Sequence, residues 1–354
     1  MARNVLITGA SGYLGGSLLE HLENSHKLPT HGTIYALIRS EEQAKQVKAL
    51  YNVTPLTLSL FNQAEMTEQL VQKDISVVFF LIDAYKPDTQ LRFINALEAV
   101  GKKSGVSTHI LHTSGAKLFS SFVGHPTDRT FSDADESLFN VQKHGHSKFD
   151  AMKTAMDANT KIIETAEAKG VRSYIFIPCI VYGKGTGFGN QISIQTTAIV
   201  RAAKATRQVC KVDDIDGTWP ICSLHDTVTL YAEILGNILA EKDIDHNKNG
   251  YYMAASGSLA WVEIYGAMGT ALARRGVVDS AEVGDVSDER LGKMAKALDV
   301  PKDFVPVEMG GICKLQADHG RKIGWTPRDS VQQFFEVVDA EVELILTHHG
   351  GAGN

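Results

Sequence analysis

Two patterns alternate along the first third of the chain. Short apolar runs of strand length occur as NVLIT (4–8), TIYALIR (33–39), TPLTLSL (54–60), SVVFFLI (76–82) and THILHTSG (108–115). Between them lie helical spacings: Leu14, Leu18, Leu19 and Leu22, then a polar helix from Glu41, a helix from Ala64 to Gln72 and one from Asp88 to Val100. Apolar runs with little polar alternation, separated by amphipathic helices, predict a parallel sheet covered on both faces. Right-handed crossovers make it doubly wound. Further on, Pro126 to His146 is polar and reads as a long loop, followed by a helix from Lys148 to Lys169. VRSYIFIPCIVYG is a sixth strand running into a glycine-rich loop. A strand in GTWPICSL, a helix from Thr227 to Leu239, the strand GYYMAAS and helices from Trp261 to Arg275 and Val331 to Leu346 complete the reading. The expectation is an α/β chain with a sheet domain in 1–182 and a smaller C-terminal substrate-binding lobe in 183–346, whose chain crosses back to the sheet domain. A flexible tail is expected at 347–354.

With 354 residues and 44% hydrophobic content, the chain can bury one large core and an appended lobe. The net charge of -6 is spread without blocks, which argues against nucleic acid or an anionic membrane as partner. No apolar run reaches the length of a bilayer span. Cys179, Cys210, Cys222 and Cys313 have no CxxC spacing and read as reduced thiols. The chain opens directly on NVLITGA, with nothing like a signal peptide, so a cytoplasmic location is expected.

TGASGYLG (8–15) stands between the first strand and the first helix. Glycines there let the backbone turn tightly and approach a pyrophosphate, which the free N–H groups of the helix start then meet. The sheet domain is thus expected to be of Rossmann type. The end of the second strand selects the cofactor. Instead of a carboxylate for a ribose hydroxyl it carries Arg39, whose guanidinium suits a 2′-phosphate. NADP(H) is the expected cofactor.

These motifs, with ALIRS, HTSGAKLF, IPCIVYGKGTGFGN, WPICSLHD and IGWTP, make the chain resemble an extended or atypical short-chain dehydrogenase/reductase of the NAD-dependent epimerase/dehydratase type, most like members from filamentous fungi. The resemblance spans almost the whole chain. It implies a pyrophosphate held by Gly9, Ser11, Gly12, Tyr13, Leu14 and Gly15, and adenosine contacts from Arg39, Ser59 and Leu60. Ile82, Asp83 and Ala84 would line the cofactor after the fourth strand. Thr113 and Ser114 would flank the nicotinamide, and Pro178, Cys179, Ile180 and Val181 would wrap its carboxamide side.

The family's proton chemistry rests on a Tyr and a Lys four residues apart on one helix face, with a Ser near the fifth strand. Fourteen residues back from Gly170 the Lys position falls on Met156, and the Tyr position on Met152. No Tyr occurs between Tyr85 and Tyr174, so the usual pair is absent in any alignment. Three readings stay open: a lone Lys153, Lys148 or His144 acts as the acid; Tyr85 or Tyr182 reaches the site from elsewhere; or no hydride moves and the cleft serves a non-redox step. Ser114, Lys153 and Tyr182 are the catalytic candidates.

His144 and His146 have no third ligand nearby, and no metal site is expected. Asp226 reads as a helix N-cap, and Trp219, Trp261 and Trp325 as packing residues, one of which could wall the substrate site. No Gly-x-Ser-x-Gly elbow suggests a hydrolase. The expected function is NADP(H)-dependent reduction of a carbonyl on a hydrophobic small molecule, in the manner of secondary metabolism, by a monomer or homodimer. The alternatives are a cofactor-bound isomerase, cyclase or dehydratase, and a dinucleotide-sensing regulatory protein.

Overall fold

A computed structural model of the chain describes residues 2–25 and 28–350. The strands, in chain order, are β1 (Asn4–Ile7), β2 (Ile34–Leu37), β3 (Thr54–Leu56), β4 (Ile75–Phe80), β5 (Thr108–Thr113) and β6 (Phe131–Ser132). They continue as β7 (Val171–Pro178), β8 (Ile180–Tyr182), β9 (Thr218–Ser223), β10 (Tyr251–Ala254), β11 (Gly257–Ala260) and β12 (Leu315–Gln316). Seven of them form one parallel sheet in the order β10-β7-β5-β4-β1-β2-β3. The chain winds outward from β1 to β3 and restarts on the other side of β1 with β4. Such a reversal opens a crevice at the carboxyl ends of the strands.

Every residue of β4 and Val5 to Ile7 of β1 are buried, which is why these runs lack polar alternation. Thr8, also buried, ties the two strands together beyond their last residues. Its N–H donates to the Phe79 carbonyl at 2.9 Å, and its Oγ1 accepts from the Leu81 N–H at 2.8 Å. A second, three-stranded sheet has the order β11-β9-β8, while β10 returns to the main sheet beside β7.

The segment 126–146, expected as a loop, instead contains β6 and a helix at Leu138–Lys143. Most of its polar residues face solvent, but Asp133 and Gln142 are buried. The buried Asp133 carboxylate accepts N–H groups of Met253 (2.9 Å), Asp318 (2.7 Å) and His319 (2.8 Å), joining three distant segments. Ser223, rather than Asp226, caps the helix Leu224–Leu239, accepting from the Asp226 N–H. Asp226 is buried and receives the N–H groups of Arg328 and Asp329. Helices at Gln195–Thr206 and Asp288–Leu298 carry no expectation from the sequence reading. The final helix, Gln332–Gly350, continues through Thr347 and His348, where a flexible tail was expected; 351–354 lie outside the described residues.

Two histidines of β5 are buried. His109 stacks on Tyr174 and bonds its hydroxyl at 3.0 Å, and burial pushes its imidazole well below the usual range. His112 contacts Gln90, and burial pushes its imidazole down to about 4. Both are neutral in the fold and gain a proton near pH 6.5 when unfolded. Acidification from about pH 6.5 to about 4 therefore favours the unfolded chain, His112 alone by up to about 3 kcal/mol. The urea midpoint should fall across that window, and less steeply in His112→Gln. A midpoint that stays constant there would contradict the assignment.

Candidate functional site

The loop between β1 and the first helix, Tyr13–Ser25, occupies the crevice. Gly9 takes φ +72°, a conformation L side chains rarely adopt, and a Cβ on it would lie 3.1 Å from the Leu81 carbonyl oxygen. A Cβ on Gly15 would collide with the Gly9 carbonyl, so the helix can start this close to the strand only as glycine. The loop and first turn line a cavity of about 710 Å³. On the β2 and β3 side the walls are Arg39, Gln43, Leu58 and Leu60; on the β5 and β7 side they are Ser114, Lys117, Leu118, Met152, Pro178 and Trp219.

Gly9, Ser11, Gly12, Tyr13, Leu14, Gly15 and Arg39 all face this cavity, as do Leu60, Ile82, Ala84, Ser114, Pro178, Cys179 and Val181. The other expected cofactor residues point elsewhere. Ser59 is a turn residue, its N–H held by Glu65 and its hydroxyl by the Phe61 N–H, while Leu58 and Leu60 on either side line the wall. Asp83 caps the turn at Tyr85 and Lys86, again between two lining residues. Thr113 bonds the Tyr231 hydroxyl at 2.7 Å, and Ile180 is buried opposite Ile221 in the small sheet. Each lies one position away from a lining residue.

Of the catalytic candidates, only Ser114 reaches the cavity. Its Oγ accepts from Asn159 Nδ2 at 2.9 Å, which leaves its own proton free to donate. Lys153 and Tyr182 are corrected. Lys153 is half exposed on the outer face of the helix Asp150–Ala168, paired with Asp150 at 3.0 Å. Tyr182 is buried against Phe334 with its hydroxyl unbonded, away from the cavity lining. His144 bonds the Asn140 carbonyl in an exposed position, and Lys148 lies over the Phe149 ring. The ruler that placed both methionines in the cleft holds for Met152 alone. Met156 turns its sulfur toward Gly145, and Ala155 takes the next place on the wall.

The cavity also has groups that sequence reasoning missed. Lys117 Nζ and Glu308 Oε2 meet at 2.8 Å, with side chains only 15% and 17% exposed. Lys117 follows β5 within the quoted HTSGAKLF, but its partner is 191 positions away and nothing in the sequence joins them. Tyr85, weighed as a displaced phenol, lines the same wall. Burial first, then Glu308 and Asp83, hold its phenol above the usual range, so it stays protonated at neutral pH. Trp219 lines the wall with its indole N–H unbonded. Among the described residues no helix is long and apolar enough to cross a membrane.

Residues 5–246 match the model of the NAD dependent epimerase/dehydratase family. The chain belongs to this family. No curated protein matches its sequence. Solved structures with the same fold include UDP-glucose 4-epimerase from Thermotoga maritima, with UDP-glucose, at 13% identity and TM-score 0.63, covering 98% of this chain and 99% of that one. The dTDP-glucose 4,6-dehydratase DesIV from Streptomyces venezuelae, with NAD and TYD bound, matches at 12% identity and TM-score 0.65, covering 98% of each chain. Vestitone reductase from alfalfa matches at 14% identity and TM-score 0.57, covering 98% and 99%.

The Lys117–Glu308 pair should couple the two sides of the cleft. A double-mutant cycle of Lys117→Ala and Glu308→Ala in urea should give a coupling of about 1–2 kcal/mol, between the values for exposed and fully buried pairs. Strict additivity would show that the pair is screened.

Proposed function

We propose that this family member is an NADP(H)-dependent enzyme that reduces a carbonyl on a neutral, hydrophobic small molecule, of the kind met in secondary metabolism. The observation that carries the reading is the charge balance of the cavity. Among its lining residues only Arg39, Lys117 and Glu308 are charged. Arg39 stands alone at the adenosine side, whereas Lys117 and Glu308 neutralise each other on the substrate side. A nucleoside diphosphate sugar would need unpaired cations there; an apolar ketone or aldehyde would not.

The loop residues fit a dinucleotide by their backbone. Gly9 and Gly15 give the tight approach, and the helix start offers free N–H groups. Arg39 fits a 2′-phosphate, with Gln43 beside it on the same wall. When bound, NADPH supplies the hydride. The Ser114 proton, left free by Asn159, bonds the substrate carbonyl oxygen. Tyr85, protonated at neutral pH and 42% exposed, gives its proton to that oxygen as charge develops and recovers it from solvent. Met152, Leu118 and Trp219 pack the apolar remainder of the substrate.

A second reading draws on one observation. Met152 and Ala155 make the helix wall of the cleft apolar, which suits a dehydration, isomerisation or cyclisation with no net consumption of NADPH.

Calorimetric titration should show NADP⁺ binding more tightly than NAD⁺ by about 1.5–3 kcal/mol, a preference lost in Arg39→Ala. Equal affinities would refute the cofactor assignment. In a screen of aromatic and aliphatic ketones followed by NADPH absorbance, Tyr85→Phe and Ser114→Ala should each lower turnover by about 10²-fold or more. Turnover of substrate at constant NADPH would select the second reading, and unaltered reduction in Tyr85→Phe would remove the phenol from the mechanism.

A further inference from the structure

The segment Gly183–Asn190 reads GKGTGFGN, with glycine at every second position. The segment folds back on itself, the Gly185 N–H donating to the Gln191 carbonyl at 2.9 Å, and three of its glycines press on the phosphate loop. A Cβ on Gly185 would lie 2.6 Å from the Tyr13 ring, one on Gly187 would collide with the Gly12 carbonyl, and one on Gly189 would lie 3.1 Å from Ser11. The contact is reciprocal, since a Cβ on Gly16 would lie 2.5 Å from Gly187 Cα. Hydrogen bonds fix the register. The N–H groups of Gly189 and Asn190 donate to the Ser11 carbonyl at 2.8 and 3.1 Å, and the Thr186 N–H donates to Ser17 Oγ at 3.1 Å. The Tyr13 hydroxyl donates to the Gly183 carbonyl at 2.6 Å. On the other side Lys184 and Thr186 are exposed, and Phe188 stacks on Tyr51.

One carboxylate holds the start of this strap and the segment that follows its end, at Ser193 and Thr196. Glu341, on the final helix and 5% exposed, accepts the Gly183 N–H at 2.5 Å through Oε2. Its Oε1 accepts the hydroxyls of Ser193 at 3.0 Å and Thr196 at 2.5 Å. Between the anchors, Asn190, Ile192 and Ser193 line the cavity. The strap is therefore continuous with the cavity wall and in backbone contact with Ser11 and Gly12, the part of the loop that a pyrophosphate would meet.

We infer that Gly183–Asn190 is a second half of the dinucleotide site, a strap that holds the phosphate loop in its binding geometry, with Glu341 as the positioning residue that closes it. The inference rests on the cofactor reading given above. Substitution at Gly187 or Glu341 acts on affinity through the position of Ser11 and Gly12, and removes no group assigned to the ligand itself.

The test uses the full chain with NADP⁺ and NAD⁺ as probes. Calorimetry should show affinity for the preferred cofactor lowered about tenfold or more in Gly187→Ala and Glu341→Leu, the loss of roughly one good hydrogen bond or contact, with Glu341→Gln between these and the unmodified chain. In the unmodified chain, saturating cofactor should slow tryptic cleavage after Lys184, and Glu341→Leu should be cut there first while the rest of the chain resists. Wild-type binding with unchanged affinity in the variants would overturn the strap and leave the cofactor reading intact. Cofactor-independent cleavage after Lys184 would overturn it as well, even if a variant failed to fold. A wild-type chain that bound neither dinucleotide would overturn both.

Discussion

The molecule is organised by the join between β1 and β4, the neighbouring strands at which the direction of winding reverses. Thr8 makes that join with its own N–H and hydroxyl, one to each side of Phe80 in the β4 chain. Because the join is rigid and fully buried, the residue after it must turn at once, and Gly9 does so with a left-handed backbone. The same constraint delivers the continuations of β4 and β5 to one edge. Leu81 to Tyr85 and Ser114 to Leu118 thus reach one cavity. Phosphate loop, phenol, hydroxyl and lysine share a site because the strands that carry them end together.

Charge is then distributed along that edge in a way that separates two tasks. A lone guanidinium is inexpensive at Arg39, where the side chain is exposed to water. Lys117 is mostly buried, and an ammonium there without Glu308 would carry a desolvation penalty. The pair therefore costs little electrostatically and leaves no net charge for an anionic substrate. It also joins the segment after β5 to the helix Val305–Met309, so a change in the separation of the two must first strain that contact.

How much of this was legible follows from the range over which each feature is determined. Local signals carried far. The apolar runs identified the five strands from β1 to β5, and TGASGYLG placed the phosphate loop, because both are properties of contiguous residues. Side-chain direction was legible only to within one position. Ser59, Asp83, Thr113 and Ile180 each sit beside a residue that does line the cavity, and the period-2 phase of a strand end is set by pairing that a motif does not record. Polar composition misled at 126–146 in one respect, since Asp133 satisfies buried N–H groups of distant segments rather than facing water. The Lys117–Glu308 and Glu341–strap contacts were beyond reach, since each joins residues more than a hundred positions apart.

The absent Tyr-Lys pair takes on a different meaning once the helix Asp150–Ala168 is seen in place. A dyad four residues apart needs positions 152 and 156 on the cavity wall together. Instead the helix shows the cleft Met152 and Ala155, and one turn later Asn159, whose amide donates to Ser114. These positions, spaced by three and four, form one stripe along the helix. Position 156 falls beside that stripe, toward Gly145. The helix thus meets the end of the fifth strand through Asn159, whose amide orients Ser114. A phenol at Met152 alone would have no lysine behind it. The polar groups that the cleft does offer near Met152 lie on the segments after β4 and β5, which carry Tyr85, Ser114 and Lys117.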